Sequence, residues 1–336
     1  MESVFNERTG AYDFKPIFTP IEPYLAGADY SIACLEPRLA GPEYGYSDSP
    51  LFNAPRELAF TLRALGVDLV ATANRHSLDF GMDGVVGTLD RLDAAGLAHV
   101  GTYRSPGERA TPRLVDIRGV TVAFLDYTDQ VNRGLPAEEQ AGFAVGRVDV
   151  DTIRQEAMTA RSWGADAVIV VLNYGEQSAD GPTEEQTLLT RQILAGGADV
   201  IIGSRPAPQT IGHFVTYASW RVTDKFVAYS LGNLISSERE QNADTGLVVY
   251  VHFEKDGLRT RVTGVSYLPV YIQADSGEEP VRYRVLPVLP GLEPETDVPL
   301  TEEDRQRMAQ IWEETRELLY RPDEGIVPLD PRSLGP

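Results

Sequence analysis

Asn74, Arg75, His76 and Asp79 stand close together in Thr72-Ala73-Asn74-Arg75-His76-Ser77-Leu78-Asp79-Phe80-Gly81. A histidine exchanges a proton near neutral pH and serves as general acid or base. Asp79, three residues on, either orients that histidine or caps a following helix. Asn74 offers an amide. Arg75 offers a permanent cation whose fork matches a carboxylate or phosphate. The segment follows an apolar run at 68–71 and precedes a helix-like stretch at 84–95. In α/β domains a site forms where strands hand over to helices. The plain alternative is a hydrogen-bonded structural histidine.

Such a cluster needs a sheet to hold it. Strand-like runs fall at 30–35, 69–73, 120–127, 167–172, 200–203, 226–231 and 247–253, and helix-like runs at 56–65, 85–95, 151–163 and 184–195. In the last, Leu188, Leu189, Ile193 and Leu194 share one face, and Thr183 before Glu184-Glu185-Gln186 has the form of a capping box. The alternation predicts an α/β fold with a mostly parallel sheet. The strand-rich stretch 226–287 completes a second sheet. Residues 273–280 are polar and predict a loop. Beyond 290 the sequence predicts a Pro/Glu linker, then a helix over 302–320 with Met308, Ile311, Trp312 and Leu319 on its apolar face. A Pro- and Asp-rich tail, flexible or draped on the surface, closes the chain. This divides the protein into 1–290, one domain, and 291–336, its C-terminal extension.

The segment around His76 resembles the "ANNHSLDxG" signature of the CapA proteins, the poly-γ-glutamate capsule synthesis family. Further segments match in order. Residues 29–36 (DYSIACLE) resemble the strand ending in "NxE", and 44–55 (YGYSDSPLFNAP) the "YSGYPxFNxP" loop. Residues 96–105 (GLAHVGTYRS) are close to the family consensus, and 228–236 (AYSLGNLIS) resemble "YSLGNFIS". VLNYGEQ at 171–177 stands at "HxGxE", and GSRPAPQ at 203–209 at "GSHPHVxQ". The resemblance runs from about residue 10 to about residue 290. It implies a calcineurin-like metallophosphoesterase fold, a four-layer α/β/β/α sandwich that holds two metal ions.

The sequence departs from that pattern where the family places metal ligands. The N-terminal "GD" motif is missing, and Cys34, Arg75, Asn173, Arg205 and Ala207 stand at ligand positions. Glu36, Asn74, His76 and Glu176 remain. Arginine stays protonated and cannot coordinate a cation. The expectation is therefore a site without metal or other cofactor. Within it His76, Glu36 and Glu176 are candidate acid/base groups, since two carboxylates in different environments separate their pKa values. Arg75 and Arg205 hold an anionic group or, in the plainer reading, pair with Glu36 and Glu176. Cys34, two residues before Glu36, faces the same way on a strand; it is a nucleophile beside His76 or a small buried hydrophobe. Asn173 and Tyr174 reach a substrate from a strand end. Ser204 and Asn233 lie on loops that border the family's pocket.

Composition excludes some partners. The 336 residues are 42% hydrophobic, enough for a substantial core, and carry a net charge of −20. That surface repels nucleic acid and anionic lipid. The single Cys34 forms no intramolecular disulfide. No apolar run is long enough to span a membrane and no signal peptide opens the chain. As written the chain reads as cytoplasmic, whereas family members are often membrane-anchored and extracellular. The leading expectation is a metal-independent enzyme acting on a small carboxylate or amide substrate, γ-glutamyl in character, by acid/base or acyl-transfer chemistry. Alternatives are a non-catalytic protein of capsule or polyglutamate assembly, and a metal-dependent hydrolase whose first strand lies upstream. Substrate identity and oligomeric state stay open.

Overall fold

The computed structural model describes residues 4–48, 50–134, 142–175, 182–204, 225–236, 243–275, 277 and 280–334. The chain opens with a hairpin, β1 (Phe5–Asn6) and β2 (Ala11–Tyr12), and two short helices, α1 (Lys15–Phe18) and α2 (Glu22–Ala26). There follow β3 (Ser31–Cys34), α3 (Glu57–Ala64), β4 (Val67–Ala71), α4 (Gly81–Ala94), β5 (Ala98–Val100), α5 (Pro106–Ala110), β6 (Arg113–Ile117) and β7 (Val120–Thr128). The middle of the chain supplies α6 (Val150–Ser162), β8 (Ala167–Asn173), α7 (Glu184–Ala195), β9 (Val200–Gly203) and β10 (Phe226–Ala228). Three long strands come next: β11 (Thr245–Asp256), β12 (Arg259–Asp275) and β13 (Arg282–Pro287). The helix α8 (Glu302–Leu319) and β14 (Ile326–Pro328) end the described chain.

Three strands, β3-β4-β5, run parallel. Five strands in the order β10-β9-β8-β7-β6 make a second sheet, parallel except for the β6–β7 hairpin. The antiparallel set β11-β12-β13 makes a third, with β14 added parallel to β12. The cores show how these stack. Val122, Phe124, Ile169, Val200 and Phe226 from the five-stranded sheet meet Leu69, Val100, Leu247, Val265 and Tyr267 from the other two. On its opposite face the five-stranded sheet packs Val168, Val170 and Ile201 against Ile153 and Ala157 of α6 and Ile193 of α7. The outer face of β3-β4-β5 packs against Ala59 and Leu62 of α3 and Val85, Leu89 and Leu92 of α4. Helix, sheet, sheet and helix are the four layers that the resemblance implied. Among the described residues no helix is long and apolar enough to cross a membrane.

Two local expectations change. In α7 the capping box forms, but Leu188 is 58% exposed and the buried stripe is Thr190, Ile193 and Leu194. The polar start of 273–280 is strand: Gln273 lies buried in β12 because Asp304 of α8 accepts its amide at 3.1 Å. The helix expected over 302–320 forms as α8 (Glu302–Leu319), and the segment around it packs on the sheets. Met308 and Ile311 of α8 pack on Leu286 and Val288, β14 joins the third sheet, and Leu329 lies in the core beneath β12 and β13.

Candidate functional site

The strands β3 and β4 end side by side, with Cys34 paired to Ala71. The chain leaving β4 is then pinned in two directions. The Thr72 N–H donates to Val100 O at 2.9 Å, and the Ala73 N–H crosses to the second sheet and donates to Asp126 Oδ2 at 2.7 Å. Asn74 braces the turn that follows. Its amide donates to Leu35 O at 2.8 Å and its Oδ1 accepts the His76 N–H at 2.8 Å. Ser77 Oγ accepts the Asn74 N–H at 2.8 Å. Asn74 is buried and its amide is committed to the backbone, so it holds the loop rather than a ligand.

This turn aims His76. Its Nδ1 lies 2.7 Å from Asp79 Oδ2, and the Asp79 side chain is fully buried. Against a carboxylate the ring donates, so Nδ1 carries the proton and Nε2 is left as the acceptor. The Asn132 amide is 3.2 Å from the same Nδ1, but that nitrogen has one in-plane site and Asp79 fills it. Asp79 Oδ2 also accepts the Phe52 N–H at 3.1 Å, and the Phe52 ring stands edge-on to the imidazole at 4.3 Å between centroids. The free nitrogen looks toward Glu36: Nε2 and Oε1 are 3.9 Å apart, beyond a hydrogen bond. The Glu36 side chain is 37% exposed, so the pair opens to solvent on the Glu36 side.

The remaining expected residues separate into three groups. Arg75 is half-buried at the rim, its Nε donating to Asn132 Oδ1 at 3.1 Å. Cys34 is reached by solvent, yet protein surrounds it on its other sides. That desolvation, with the Asp126 and Glu36 carboxylates nearby, pushes the thiol up to about 12 against the opposing pull of a Ser204 hydrogen bond. A thiolate is disfavoured there, which weighs against Cys34 as nucleophile. Ser204 thus comes to Cys34 from the end of β9. Asn173 ends β8, buried, with Oδ1 accepting from Thr128 Oγ1 at 3.3 Å. Tyr174 turns the other way: it lies with Ile193, Leu194 and Tyr229 in the buried core under α7. Asn233 lies beyond β10, its carbonyl against Gly246. Glu176 and Arg205 lie outside the described residues.

Two residues beneath the site escaped the sequence reading. Arg38 is fully buried; its Nη2 donates to Leu35 O at 2.9 Å and Glu36 O at 3.3 Å, while Nε and Nη1 have no partner. Burial lowers its pKa to about 10, and the charges of Asp79, Asp126 and Glu36 oppose that fall. Asp126 is equally buried. Desolvation pushes it up to about 8, although bonds from the Ala73 and Thr72 backbone and the Arg38 charge pull the other way. Gly101 makes room for Asp126: its φ is +103°, and a Cβ there would collide with the Asp126 carboxylate and the Ala73 nitrogen. The available signal was a lone charge inside an apolar run for Asp126, in Phe124-Leu125-Asp126-Tyr127; Arg38, in Leu35-Glu36-Pro37-Arg38-Leu39 with a second charge two residues away, offered none so clear.

Residues 1–238 match the family described as bacterial capsule synthesis protein PGA_cap. The chain belongs to that family. The capsule biosynthesis protein CapA of Bacillus anthracis is 26% identical over 277 residues, 80% of this chain and 64% of that protein. The PGA biosynthesis protein CapA of Bacillus subtilis (strain 168) is 26% identical over 268 residues, 77% of this chain and 68% of that protein. The chain therefore spans under two thirds of the first relative's length. Among solved structures it is similar to the calcineurin-like phosphoesterase YfkN from Bacillus subtilis: TM-score 0.41, 14% identity, 77% of this chain and 74% of that one. Sulfate thiohydrolase SoxB of Thermus thermophilus, solved with glycerol, aligns at TM-score 0.37 and 15% identity, over 79% of this chain and 40% of that one.

A PGA_cap protein of this fold raises the question of a dinuclear metal site. Among the described residues no group of three or more His, Cys, Asp or Glu is placed to hold a metal ion. The donor chemistry points the same way. His76 Nε2 is left open by the Asp79 bond to Nδ1, but among the described carboxylates only Glu36 stands beside it, at 3.9 Å, while Asp79 and Asp126 face the buried Arg38 guanidinium. The described donor set does not fit two cations.

Proposed function

We propose that this PGA_cap protein is an enzyme that acts without metal on a small carboxylate- or amide-bearing substrate, γ-glutamyl in character, by general acid/base chemistry. The observation that carries the reading is the Asp79–His76 pair, with Nδ1 held at 2.7 Å and Nε2 turned toward Glu36 at an open strand end. The family supports the substrate class, since the Bacillus relatives are named for capsule and PGA biosynthesis.

In this scheme neutral His76 takes a proton at Nε2 from a water or amine as that nucleophile adds to the substrate carbonyl. Asp79 steadies the imidazolium that results. The same proton then goes to the departing nitrogen as the C–N bond breaks. Glu36, beside Nε2 and open to solvent, exchanges protons with water or orients the nucleophile. Arg75 at the rim offers a guanidinium to a substrate carboxylate. The ligand is small and anionic or amide-bearing; the acidic surface speaks against nucleic acid and a membrane.

The test is turnover of a γ-glutamyl oligomer by the purified protein in EDTA, followed by mass spectrometry. His76→Ala is expected to lower the rate by roughly 10²–10⁴-fold without changing the fold. Turnover indifferent to His76→Ala, or abolished by EDTA and restored by manganese, overturns the proposal. Tight binding of the oligomer with no turnover would leave a role in polymer assembly instead.

A further inference from the structure

A hollow separate from the His76 turn lies at the edge of the five-stranded sheet. The edge strand is β6, and its first residue, Arg113, pairs with Phe124 of β7. The neighbouring strand runs on to Thr128, so beyond Phe124 it outruns β6 and the sheet edge steps back. Residues of α5 and α6, with His99 of β5, border this step and leave a cavity of about 520 Å³. That is the size of a small-molecule site. None of Glu36, Asn74, Arg75, His76 and Asp79 lines it.

The polar groups of its wall are unequally occupied. Glu156 accepts from Tyr127 OH at 2.6 Å and from Arg109 Nη2 at 3.4 Å. Glu108 accepts the Arg104 N–H at 2.5 Å and Arg104 Nη1 at 2.7 Å. Both carboxylates are thus taken up by the protein. The arginines keep capacity. Arg109 donates through Nη1 to Gly142 O at 2.9 Å and Val145 O at 3.2 Å, which fixes its guanidinium plane. Its Nε–H donates to nothing among the described residues. Arg113, exposed at the mouth, makes no hydrogen bond or ion pair among the described residues. What the cavity has left over is donor capacity on two cations, in a chain whose net charge is −20. Around them the wall is apolar and aromatic, with Tyr103, Phe124 and Phe143.

We propose that this cavity is a second binding site, for a small carboxylate with a planar apolar body. The carboxylate pairs with Arg109 and Arg113, and the body lies against Tyr103, Phe124 and Phe143. An uncharged ligand would gain the apolar contacts but leave the Arg109 Nε–H behind it unpaired. A bare inorganic anion would gain the charge and leave the aromatic wall uncovered. The site owes nothing to the chemistry at His76, and the two stand or fall separately.

The experiment is a titration of the whole chain with phenylacetate, read from amide chemical shifts. Acetate serves as the charge-only probe and benzyl alcohol as the ring-only probe. Saturable shifts within residues 99–113 are expected, with a dissociation constant on the order of 1 mM for a ligand of this size. Either partial probe should bind about tenfold more weakly. Arg113→Gln breaks no contact within the described protein, so it should fold as the wild type does and weaken phenylacetate about tenfold. Ala110→Trp, at the exposed end of α5, should fill the cavity and abolish binding. If Ala110→Trp does not fold, Arg113→Gln decides. No saturation below about 20 mM overturns the proposal, and so does benzyl alcohol binding as tightly as phenylacetate. Binding lost in Arg75→Gln and kept in Arg113→Gln would put the ligand in the His76 cleft and overturn it as well.

Discussion

Asp126 and Asp304 are both buried, and they sit in opposite circumstances. Asp304, the N3 residue of α8, accepts from Tyr271 OH at 2.8 Å, Gln273 Nε2 at 3.1 Å and the Thr301 N–H at 2.8 Å. Burial alone would raise its pKa, but the bonds from Thr301, Tyr271 and Gln273 outweigh it and hold the carboxyl below the usual range. Asp126 has the Ala73 N–H on one oxygen and nothing on the other, and desolvation wins, to about 8. The first carboxylate fastens α8 to β12 and is finished. The second stands under a candidate site with hydrogen-bonding capacity to spare. Asp126 is both the more deeply buried, 1% exposed against 8% for Asp304, and the less satisfied, and the two together separate a structural charge from one kept available.

The largest expected effect breaks the Asp126 side. Gly101→Ala puts a methyl where the Asp126 carboxylate and the Ala73 nitrogen already are, at a φ of +103° that side chains avoid. A loss of about 4 kcal/mol or failure to fold is expected from overpacking and backbone strain together. Circular dichroism in urea checks it, and near-wild-type stability would show that the sheets separate easily there. Next comes the Asp304 side. Asp304→Ala removes the acceptor shared by Tyr271, Gln273 and the Thr301 amide and opens the capping box, for a loss of about 3 kcal/mol. Because the folded carboxyl lies below its unfolded value, its contribution is present above about pH 4 and vanishes as pH falls through the folded value. Wild type and variant should therefore converge in acid.

How far the sequence foretold this contrast depends on which contacts are local. Apolar runs and helical spacing located most of the strands and the main helices, because a strand covered on both faces, such as β8, writes a continuous apolar run into the chain. His76 and Asp79 were legible as a pair, since one turn brings residues three apart together. Phe52 and Asn132, which complete the histidine's surroundings, come from distant loops and left no mark on the motif. Asp126 was visible as a charge in apolar surroundings and Arg38 less clearly so, but only the packing of one sheet on another shows that they lie beneath one site. Tyr174 shows the same limit: it follows Asn173 at the strand end, and alternation sends consecutive side chains to opposite faces, so its place in the cluster under α7 is not written in the motif. The strand identity of Gln273 could be read only with α8 in place, because its polar side chain is buried by a partner 31 positions away.

A smaller effect sharpens the comparison through pH. Asp126 is protonated in the folded chain where it is ionised in the unfolded one, so the unfolded state binds fewer protons and stability falls as pH rises. The contribution is complete below the unfolded value of about 4 and is lost as pH climbs to the folded value of about 8. Asp126→Asn keeps an acceptor for the Ala73 N–H and cannot ionise. It is expected to flatten the decline, gaining about 2 kcal/mol on the wild type between pH 6 and pH 7.5. Denaturant midpoints across that range measure it, and parallel pH curves would mean that Asp126 is ionised in the folded protein after all.

The smallest effect probes how redundant the finished network is. Tyr271→Phe removes one of the bonds to Asp304 and leaves Gln273 and Thr301 in place. A hydrogen bond whose loss strands no buried partner contributes about 1 kcal/mol. The urea midpoint should fall by that amount with the slope unchanged, and the convergence with Asp304→Ala in acid should persist. A loss near that of Asp304→Ala would mean that the three donors act as one unit. Asp304 would then be no better buffered against the loss of a partner than Asp126, and satisfaction alone would not separate the two carboxylates.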